Sequence, residues 1–165
     1  MTDDHDLDRH NLDQHWLAKA VELAVANVGD DGGPFGAVVV RDGVLLSTGQ
    51  NRVTRELDPT AHAEVLAIRA ACTAVGDFTL AGCVLYASCE PCPMCICSAL
   101  WARVDRIVFA ASRDDAAHGG FDDSVFYDLF TRDRETWSTP VDPVTVDGSF
   151  GPFQAWLDHE SRTHY

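Results

Sequence analysis

The stretch CVLYASCEPCPMCICSALWARVDRIVFAA at residues 83–111 decides the fold class of this chain. Its first part, Cys83–Ser88, is a short apolar run that is typical of a buried strand. A helix is predicted to begin at Pro91–Pro93 and to run to Ala102, because proline is favoured in the first turn of a helix. The apolar run Arg106–Ala111 predicts a second strand. A strand, a helix and a strand in this order form a right-handed parallel crossover, which indicates an α/β fold.

Before this unit, apolar spacing predicts two helices and two strands, at Leu12–Val28, Ala37–Arg41, Val44–Thr48 and Thr60–Ala74. The two strands flank Asp42-Gly43, which is a strong signal for a hairpin turn. The segment Asn51–Pro59 is polar and is predicted to be irregular. A hairpin followed by a parallel crossover predicts a mixed sheet with helices on both faces. The expected architecture is therefore a three-layer α/β/α sandwich.

The pattern is weaker after Ala111. It predicts a helix at Ser124–Phe130, a strand at Val144–Val146 and a last helix at Pro152–Ser161. At the other end of the chain, Met1–Asp8 carries four aspartates. Residues 1–11 are therefore predicted to form a flexible acidic tail, and residues 12–165 a single domain.

Composition excludes several classes of protein. The 165 residues hold 26 acidic and 12 basic side chains, a formal net charge of −14, and 46% of the residues are hydrophobic. Such a chain is not disordered, and a nucleic-acid partner is not expected because phosphate backbones need a positive face. No apolar run approaches the roughly 20 residues that cross a bilayer, so no membrane partner is expected. Six cysteines without a secretory leader predict thiols or metal ligands in a cytoplasmic protein.

The chemistry concentrates in His62-Ala63-Glu64 and Pro91-Cys92-Pro93-Met94-Cys95. Cys92 and Cys95 are three residues apart at a helix start, where the helix dipole favours thiolates, so both sulfurs can share a metal. His62 supplies a neutral nitrogen. Catalytic zinc sites keep three protein ligands and an open position for water, whereas structural sites close with four. Glu64 is about 200° from His62 on an ideal helix, so the site must lie off the helix end, with Glu64 beside the water.

Neither motif is decisive alone. A lone His-x-Glu is common by chance, and a lone Cys-x-x-Cys usually indicates structural zinc or redox chemistry. Cys89, Cys92 and Cys95 also follow an iron–sulfur spacing, but the fourth cysteine expected near Ala99 is absent. A structural zinc in an interaction domain and an iron–sulfur cluster stay open at this point. The other cysteines are predicted to pack in the core, at positions Cys72, Cys83, Cys89 and Cys97.

Together, the two motifs resemble the H-x-E and P-C-x-x-C signature of zinc-dependent nucleobase deaminases of the cytidine-deaminase superfamily. This resemblance implies that His62, Cys92 and Cys95 hold one Zn²⁺ per chain and that Glu64 is the general acid and base. It also implies the three-layer α/β/α fold, in agreement with the expectation from the sequence pattern. Cys89 matches a position in this motif that is not a ligand.

Further runs resemble the bacterial guanine-deaminase branch, namely Ser88–Cys95, Trp101–Arg103, Gly120–Ser124, Pro152–Trp156 and the terminal Tyr165. This branch implies hydrolytic deamination of guanine to xanthine and ammonia. It implies substrate contacts from Phe35, Asn51, Ala63, Trp101, Asp123 and Tyr165. Asp123 would also move protons alongside Glu64. The branch further implies a homodimer that exchanges C-terminal segments, so that Tyr165 closes the site of the partner.

One departure from the branch concerns the substrate. Ile96-Cys97-Ser98 follows the second zinc cysteine, where small residues are frequent in the branch. A different pocket would suit a related substrate, such as guanosine, cytosine, cytidine or an aminotriazine. A tRNA adenosine deaminase shares the zinc motifs, but a charge of −14 argues against a tRNA substrate.

Overall fold

The computed structural model describes residues 4–165, with side chains from Leu7 onward. The strands are β1 Gly36–Arg41, β2 Val44–Gln50, β3 Cys83–Cys89 and β4 Arg106–Ala111. The helices are α1 Asp4–Val28, α2 Val53–Glu56, α3 Ala63–Val75, α4 Pro93–Trp101, α5 Arg113–His118, α6 Ser124–Phe130 and α7 Gly151–Asp158, with a short 3₁₀ turn at Arg134–Thr136. The chain divides into a first unit that ends at Phe126 and a second unit, residues 127–165.

In the first unit, the strands form one mixed sheet in the order β2-β1-β3-β4. Strand β1 runs antiparallel to both β2 and β3, while β3 and β4 are parallel. The hairpin between β1 and β2 turns at Asp42 and Gly43, which both have positive φ angles, as a tight hairpin turn requires. The predicted hairpin and parallel crossover are confirmed.

Alternation along the strands gives the sheet two apolar faces. On one face, Val39 and Leu85 pack against buried side chains of α3 and α4. On the other face, Val38 and Tyr86 pack against α1 through residues such as Leu17. Helices therefore cover both faces of a mixed sheet, and the expected three-layer α/β/α sandwich is confirmed.

The site-bearing helix α3 lies unusually close to the sheet. A Cβ added at Gly49 in β2 would lie 2.0 Å from the carbonyl oxygen of Ala63, so only glycine allows this approach. Ser47, in the same strand, donates from its hydroxyl to the carbonyl oxygen of Ala67 at 2.7 Å. Strand β2 thus fixes the N-terminal end of α3, where His62 and Glu64 are located.

A polar cluster ties α1 to the other side of the sheet. Asp13 accepts hydrogen bonds from the Tyr86 hydroxyl at 2.9 Å and from both terminal nitrogens of Arg106, at 2.9 and 2.6 Å. Burial alone would raise the pKa of Asp13, but the hydrogen bonds from Arg106 and Tyr86 outweigh it and hold that pKa below its usual value. Burial and the same carboxylate raise the pKa of Tyr86 to about 12.

Two predicted helix starts are wrong. Helix α1 begins at Asp4 and not at Leu12, so most of the predicted tail is helical, and residues 1–3 lie outside the described residues. Acidic residues near a helix N-terminus favour this extension. Helix α3 begins at Ala63 and not at Thr60, because the Asp58 carboxylate accepts hydrogen bonds from the backbone N–H and hydroxyl of Thr60 and holds a turn there.

Some shorter elements also differ from the prediction. Val144–Val146 is not a strand, because its exposed valines join no sheet among the described residues. The segment predicted as irregular contains the single-turn helix α2. Helix α5 was not predicted, and it is held by a capping box between Ser112 and Asp115. Within residues 4–165, no helix is long and apolar enough to cross a membrane.

Candidate active site

The N-termini of two helices bring the motif residues together. His62 is the N-cap of α3, Cys92 is the N-cap of α4, and Cys95 lies in the first turn of α4. Both caps have extended backbone angles and make no side-chain capping hydrogen bond, so their side chains are available for other contacts. The positive ends of both helix dipoles meet here, and they favour a negatively charged sulfur or a bound anion.

The distances among these three side chains fit a tetrahedral zinc ion. The Cys92 and Cys95 sulfurs are 3.6 Å apart, and the His62 Nδ1 atom lies 3.6 Å from Cys92 and 3.5 Å from Cys95. Zinc bond lengths of about 2.3 Å to sulfur and about 2.0 Å to nitrogen give tetrahedral edges of about 3.5 to 3.8 Å. A sulfur separation of 3.6 Å is far beyond a disulfide bond.

The number of ligands distinguishes between the kinds of metal site. Among the described residues, the group of potential ligand atoms holds His62, Cys92 and Cys95, and no fourth such residue joins it. Cys89 is outside this group, and its thiol donates to the carbonyl oxygen of Ser112 at 3.4 Å. Three protein ligands leave an open position, as in catalytic zinc sites, and disfavour both structural zinc and an iron–sulfur cluster.

The thiols and the imidazole titrate as a coupled group. The hydrogen bond from Cys95 and the neighbouring His62 lower the pKa of Cys92 to about 4. The pKa of Cys95 is raised, because its thiol donates to the Cys92 sulfur and is buried. The Cys92 sulfur raises the pKa of His62, despite the opposing effect of burial. The lowered pKa favours the thiolate form of Cys92, which is the form that binds metals.

Glu64 lies beside these ligands without joining them. It is the second residue of α3, and only 7% of it is exposed. Burial raises the pKa of Glu64, and the negative charge on Cys92 acts in the same direction. A raised pKa brings a carboxyl group closer to neutral pH, where a general acid and base is most efficient.

A cavity of about 720 Å³ opens onto the metal ligands within the first unit. Its lining includes His62, Glu64, Cys92, Phe35, Asn51 and Asp123. Phe35 meets Phe121 edge to face, with ring centroids 5.1 Å apart, so two aromatic rings form part of the wall. Volumes of roughly 300–1,000 Å³ are usual for small-molecule sites.

Two polar residues in this wall are held in place by their surroundings. Asn51 is buried, and its side-chain oxygen accepts a hydrogen bond from the Val53 backbone N–H at 3.3 Å. Asp123 is partly buried, and this burial, together with the Cys92 charge, raises the pKa of its carboxyl group. The neighbouring Asp122 accepts from the Ser124 backbone N–H at 2.9 Å. The cavity therefore combines a metal site, a buried acid, an amide, a second carboxylate and an aromatic wall.

Comparison with known proteins identifies the family. Residues 10–111 match the zinc-binding region of the cytidine and deoxycytidylate deaminases. This chain belongs to the cytidine and deoxycytidylate deaminase family. It is therefore a zinc-dependent deaminase, a hydrolase that acts on carbon–nitrogen bonds.

The relatives of this deaminase differ in how much of it they match. The chain is 47% identical to guanine deaminase from Bacillus subtilis over 91% of its own length and 97% of that protein. The X-ray structure of the Bacillus subtilis enzyme superposes with a TM-score of 0.89. A structure of guanine deaminase from Nitrosomonas europaea is 37% identical, covers 65% of this chain and 63% of its own, and has a TM-score of 0.63. A tRNA-specific adenosine deaminase from Aquifex aeolicus is 42% identical over 53% of this chain and 56% of that protein.

Three of the residues predicted to contact substrate are not among those that line the cavity of this deaminase. Trp101 does not line the cavity: it ends α4, is 67% exposed and faces a separate surface groove with Leu100. Ala63 is fully buried in the core between α3 and the sheet, so its methyl group is not available to substrate. As the first residue of α3, Ala63 has a backbone N–H without an intrahelical acceptor. Tyr165 belongs to the second unit, where its ring lies 6.3 Å from that of Trp156.

The cavity also includes residues that sequence reasoning did not single out, namely Asp31, Glu90, Arg113, Phe121 and Asp122. Some of them could have been found from the sequence, since Glu90 lies inside the cysteine motif and Phe121-Asp122 lies inside the run that contains Asp123. Arg113 lies in no such motif. It reaches the cavity as the first residue of the unpredicted helix α5, where its backbone N–H donates to Glu90 at 3.2 Å.

Proposed function

We propose that this chain catalyses the hydrolytic deamination of guanine to xanthine and ammonia. The observation that carries this proposal is the 47% identity to a guanine deaminase over 91% of the chain. That similarity extends beyond residues 10–111, which the wider deaminase family shares. Among the tRNA-specific relatives, one from Buchnera aphidicola matches 73% of the chain at 32% identity, and the one from Aquifex aeolicus matches 53% of it at 42% identity.

In the proposed reaction, water attacks C2 of the purine, the bond from C2 to the exocyclic amine breaks, and the oxygen stays on C2. His62, Cys92 and Cys95 would hold Zn²⁺, which would supply Lewis-acid activation of the attacking water. Glu64 takes a proton from this water, passes it to the adjacent ring nitrogen and helps to protonate the departing amino group, which leaves as ammonia. Its burial and raised pKa suit a group that must both accept and donate a proton.

We assign substrate binding to three side chains that line the cavity and to one backbone N–H at the start of α3. Phe35 stacks against the base, and the Asn51 amide hydrogen-bonds the polar edge of the ring. Asp123 contacts the guanine edge and assists Glu64 in moving protons, which its raised pKa favours. Ala63 contributes through its backbone N–H at the start of α3.

The charge of the chain supports a small neutral substrate over tRNA. The formal net charge is −14, and carboxylates from Asp31, Glu90 and Asp123 line the cavity. An anticodon stem carries a dense row of phosphates that this surface would repel. Guanine is uncharged at neutral pH and avoids this repulsion.

We further propose that residues 12–165 act as one deaminase domain in a homodimer that exchanges C-terminal segments. The second unit leaves large apolar side chains exposed, among them Phe150, Phe153 and Leu157. Exposed apolar clusters of this kind mark surfaces that bind another protein chain. In this arrangement Tyr165 closes the site of the partner.

An ammonia-release screen of the purified, zinc-loaded protein tests the substrate. Guanine, guanosine, cytosine, cytidine, adenine and a tRNA with an adenosine wobble base are compared at equal concentration. We expect release from guanine together with stoichiometric xanthine. Release from guanosine, cytidine or tRNA, with none from guanine, would assign a different substrate to the same site. No release from any of them by zinc-loaded protein would contradict the deaminase function.

A further inference from the structure

Asn27 lies outside the metal motifs, beside the two segments that carry the cavity residues Phe35 and Asn51. It lies in the last turn of α1 and is fully buried. Burying an amide costs free energy unless it forms hydrogen bonds. Its Nδ2 group donates to the carbonyl oxygens of Gly33 and Asn51, each at 2.8 Å. Both acceptors belong to residues that line the cavity.

These two bonds join segments that are distant in sequence. Gly33 belongs to the loop that carries Phe35, and Asn51 follows strand β2. The backbone connects the same segments further, because the Asn51 N–H donates to the Phe35 carbonyl oxygen at 3.1 Å. The Gly32 N–H in turn donates to the carbonyl oxygen of Asn27 at 2.9 Å. Asn27 thus holds, through one side-chain nitrogen, both segments that present Phe35 and Asn51 to the cavity.

Close packing leaves these segments little freedom. A Cβ added at Gly32 would lie 2.2 Å from the Asn27 Nδ2 atom, so the loop lies directly against the amide. A Cβ added at Gly33 would lie 2.9 Å from the side-chain oxygen of Asn51. Among the described residues, the side-chain oxygen of Asn27 has no hydrogen-bond partner. The contribution of Asn27 therefore comes from its two N–H donors, which no isosteric acid or hydrocarbon can replace.

We propose that Asn27 is a positioning residue that sets the geometry of Phe35 and Asn51 against the substrate. The expected effect on guanine kinetics rests on the proposed function. The claim that Asn27 holds the two segments in place does not. Asn27 itself does not line the cavity. Since Phe35 and Asn51 bind the base throughout the reaction, their displacement should weaken ground-state and transition-state binding equally.

The test compares Asn27→Asp, which removes the donors at nearly constant shape, with Asn27→Leu, which removes them without adding charge. Asn11→Asp is the matched control, because it makes the same chemical change at an exposed position of α1. We expect KM for guanine to rise about tenfold in both Asn27 variants, with kcat changed less than about threefold and zinc content unchanged. A loss of kcat with unchanged KM, or a KM equal to that of the control, would overturn the proposal.

Amide hydrogen exchange gives a second readout that needs no substrate. In the zinc-loaded Asn27 variants, exchange should accelerate at the Gly32, Phe35 and Asn51 amides and stay unchanged in β3. Unchanged exchange at those amides would overturn the proposal. Equal acceleration at those amides and in β3 would also overturn it, because it would show that Asn27 has a purely structural role. If the parent protein does not deaminate guanine, the proposed function fails, while hydrogen exchange still decides whether Asn27 holds the two segments.

Discussion

At the scale of single residues, Glu64 is the side chain on which the proposed reaction depends most. Glu64→Gln keeps the shape of a side chain that is 7% exposed but removes its titratable proton. We expect zinc content to stay at that of the parent protein and kcat for guanine to fall by about 10²–10⁴-fold, which is the usual contribution of general acid–base catalysis. Ammonia release and metal analysis measure the two quantities. The exposed Glu22→Gln is the control, and an active Glu64→Gln variant would contradict the mechanism.

The cysteines offer a matched pair of variants for the metal site. Cys92 belongs to the ligand group. Cys97 lies outside it and is exposed, so the prediction that Cys97 packs in the core is wrong. We expect Cys92→Ser to lose its zinc during dialysis against a chelator concentration that leaves the parent loaded, because a serine hydroxyl is a far weaker ligand than a thiolate. Cys97→Ser should retain zinc and activity. Equal zinc retention by the two variants would argue against the assigned ligands.

The grouping of His62, Cys92 and Cys95 could be predicted from the sequence because each motif is local and begins a helix. His62 with Glu64, and Cys92 with Cys95, are placed by the geometry of one turn. The wall of the cavity could not be predicted in this way. Asn27 contacts Asn51 across 24 residues of sequence, and nothing in the local pattern near Asn27 indicates that contact.

At the scale of secondary-structure elements, the cluster of Asp13, Tyr86 and Arg106 joins α1 to β3 and β4. Asp13→Asn removes the charge that Arg106 pairs with and should lower the free energy of unfolding by about 1–2 kcal/mol at pH 7. This range allows for Arg106, whose side chain is 37% exposed. Urea unfolding measures the difference between the variant and the parent protein.

The pH dependence of this difference follows from the lowered pKa of Asp13 in the folded protein. The ionised Asp13 carboxylate therefore stabilises the folded protein. This stabilisation is present when the pH is above the pKa of an aspartate in the unfolded chain, about 3.9, and it is lost as the pH falls through the lower pKa of Asp13 in the folded protein. The difference in the free energy of unfolding between the parent protein and Asp13→Asn should therefore become smaller on acidification below about pH 4. Asp8→Asn, at an exposed position of the same helix, is the control. A gap that is independent of pH would show that the Asp13 charge does not stabilise the fold.

The elements that were predicted correctly have a strong period and a clear place in the sheet. Strands β1, β3 and β4 are apolar runs, and the turn residues Asp42-Gly43 fix the hairpin. The elements that were missed are short. Helix α5 spans only Arg113–His118 and relies on its capping box, and α2 is a single turn. Val144–Val146 has an alternating pattern but no neighbouring strand to pair with among the described residues.

At the scale of the whole molecule, the second unit is where the proposed dimer can be tested. Deletion of Phe153–Tyr165 removes exposed apolar side chains and the terminal Tyr165. We expect the shortened protein to lose most of its guanine turnover, because its sites would be left open to water, and to be less soluble. Light scattering and ammonia release measure assembly and activity. A fully active shortened monomer would contradict the closing role of the C-terminal segment.

The placement of the metal ligands also links zinc to folding. His62 and Cys92 are 30 residues apart, so an ion bound to both closes a ring that contains α3 and β3. The folded chain therefore binds the ion more tightly than the unfolded chain does. The free energy of zinc binding then adds to the free energy of unfolding. Free zinc at a hundred times its dissociation constant should add about 2.7 kcal/mol to the free energy of unfolding. The Tm should therefore rise with the logarithm of free zinc in the parent protein and stay flat in Cys92→Ser. The concentration of free zinc would then set the lifetime of the protein as well as its activity.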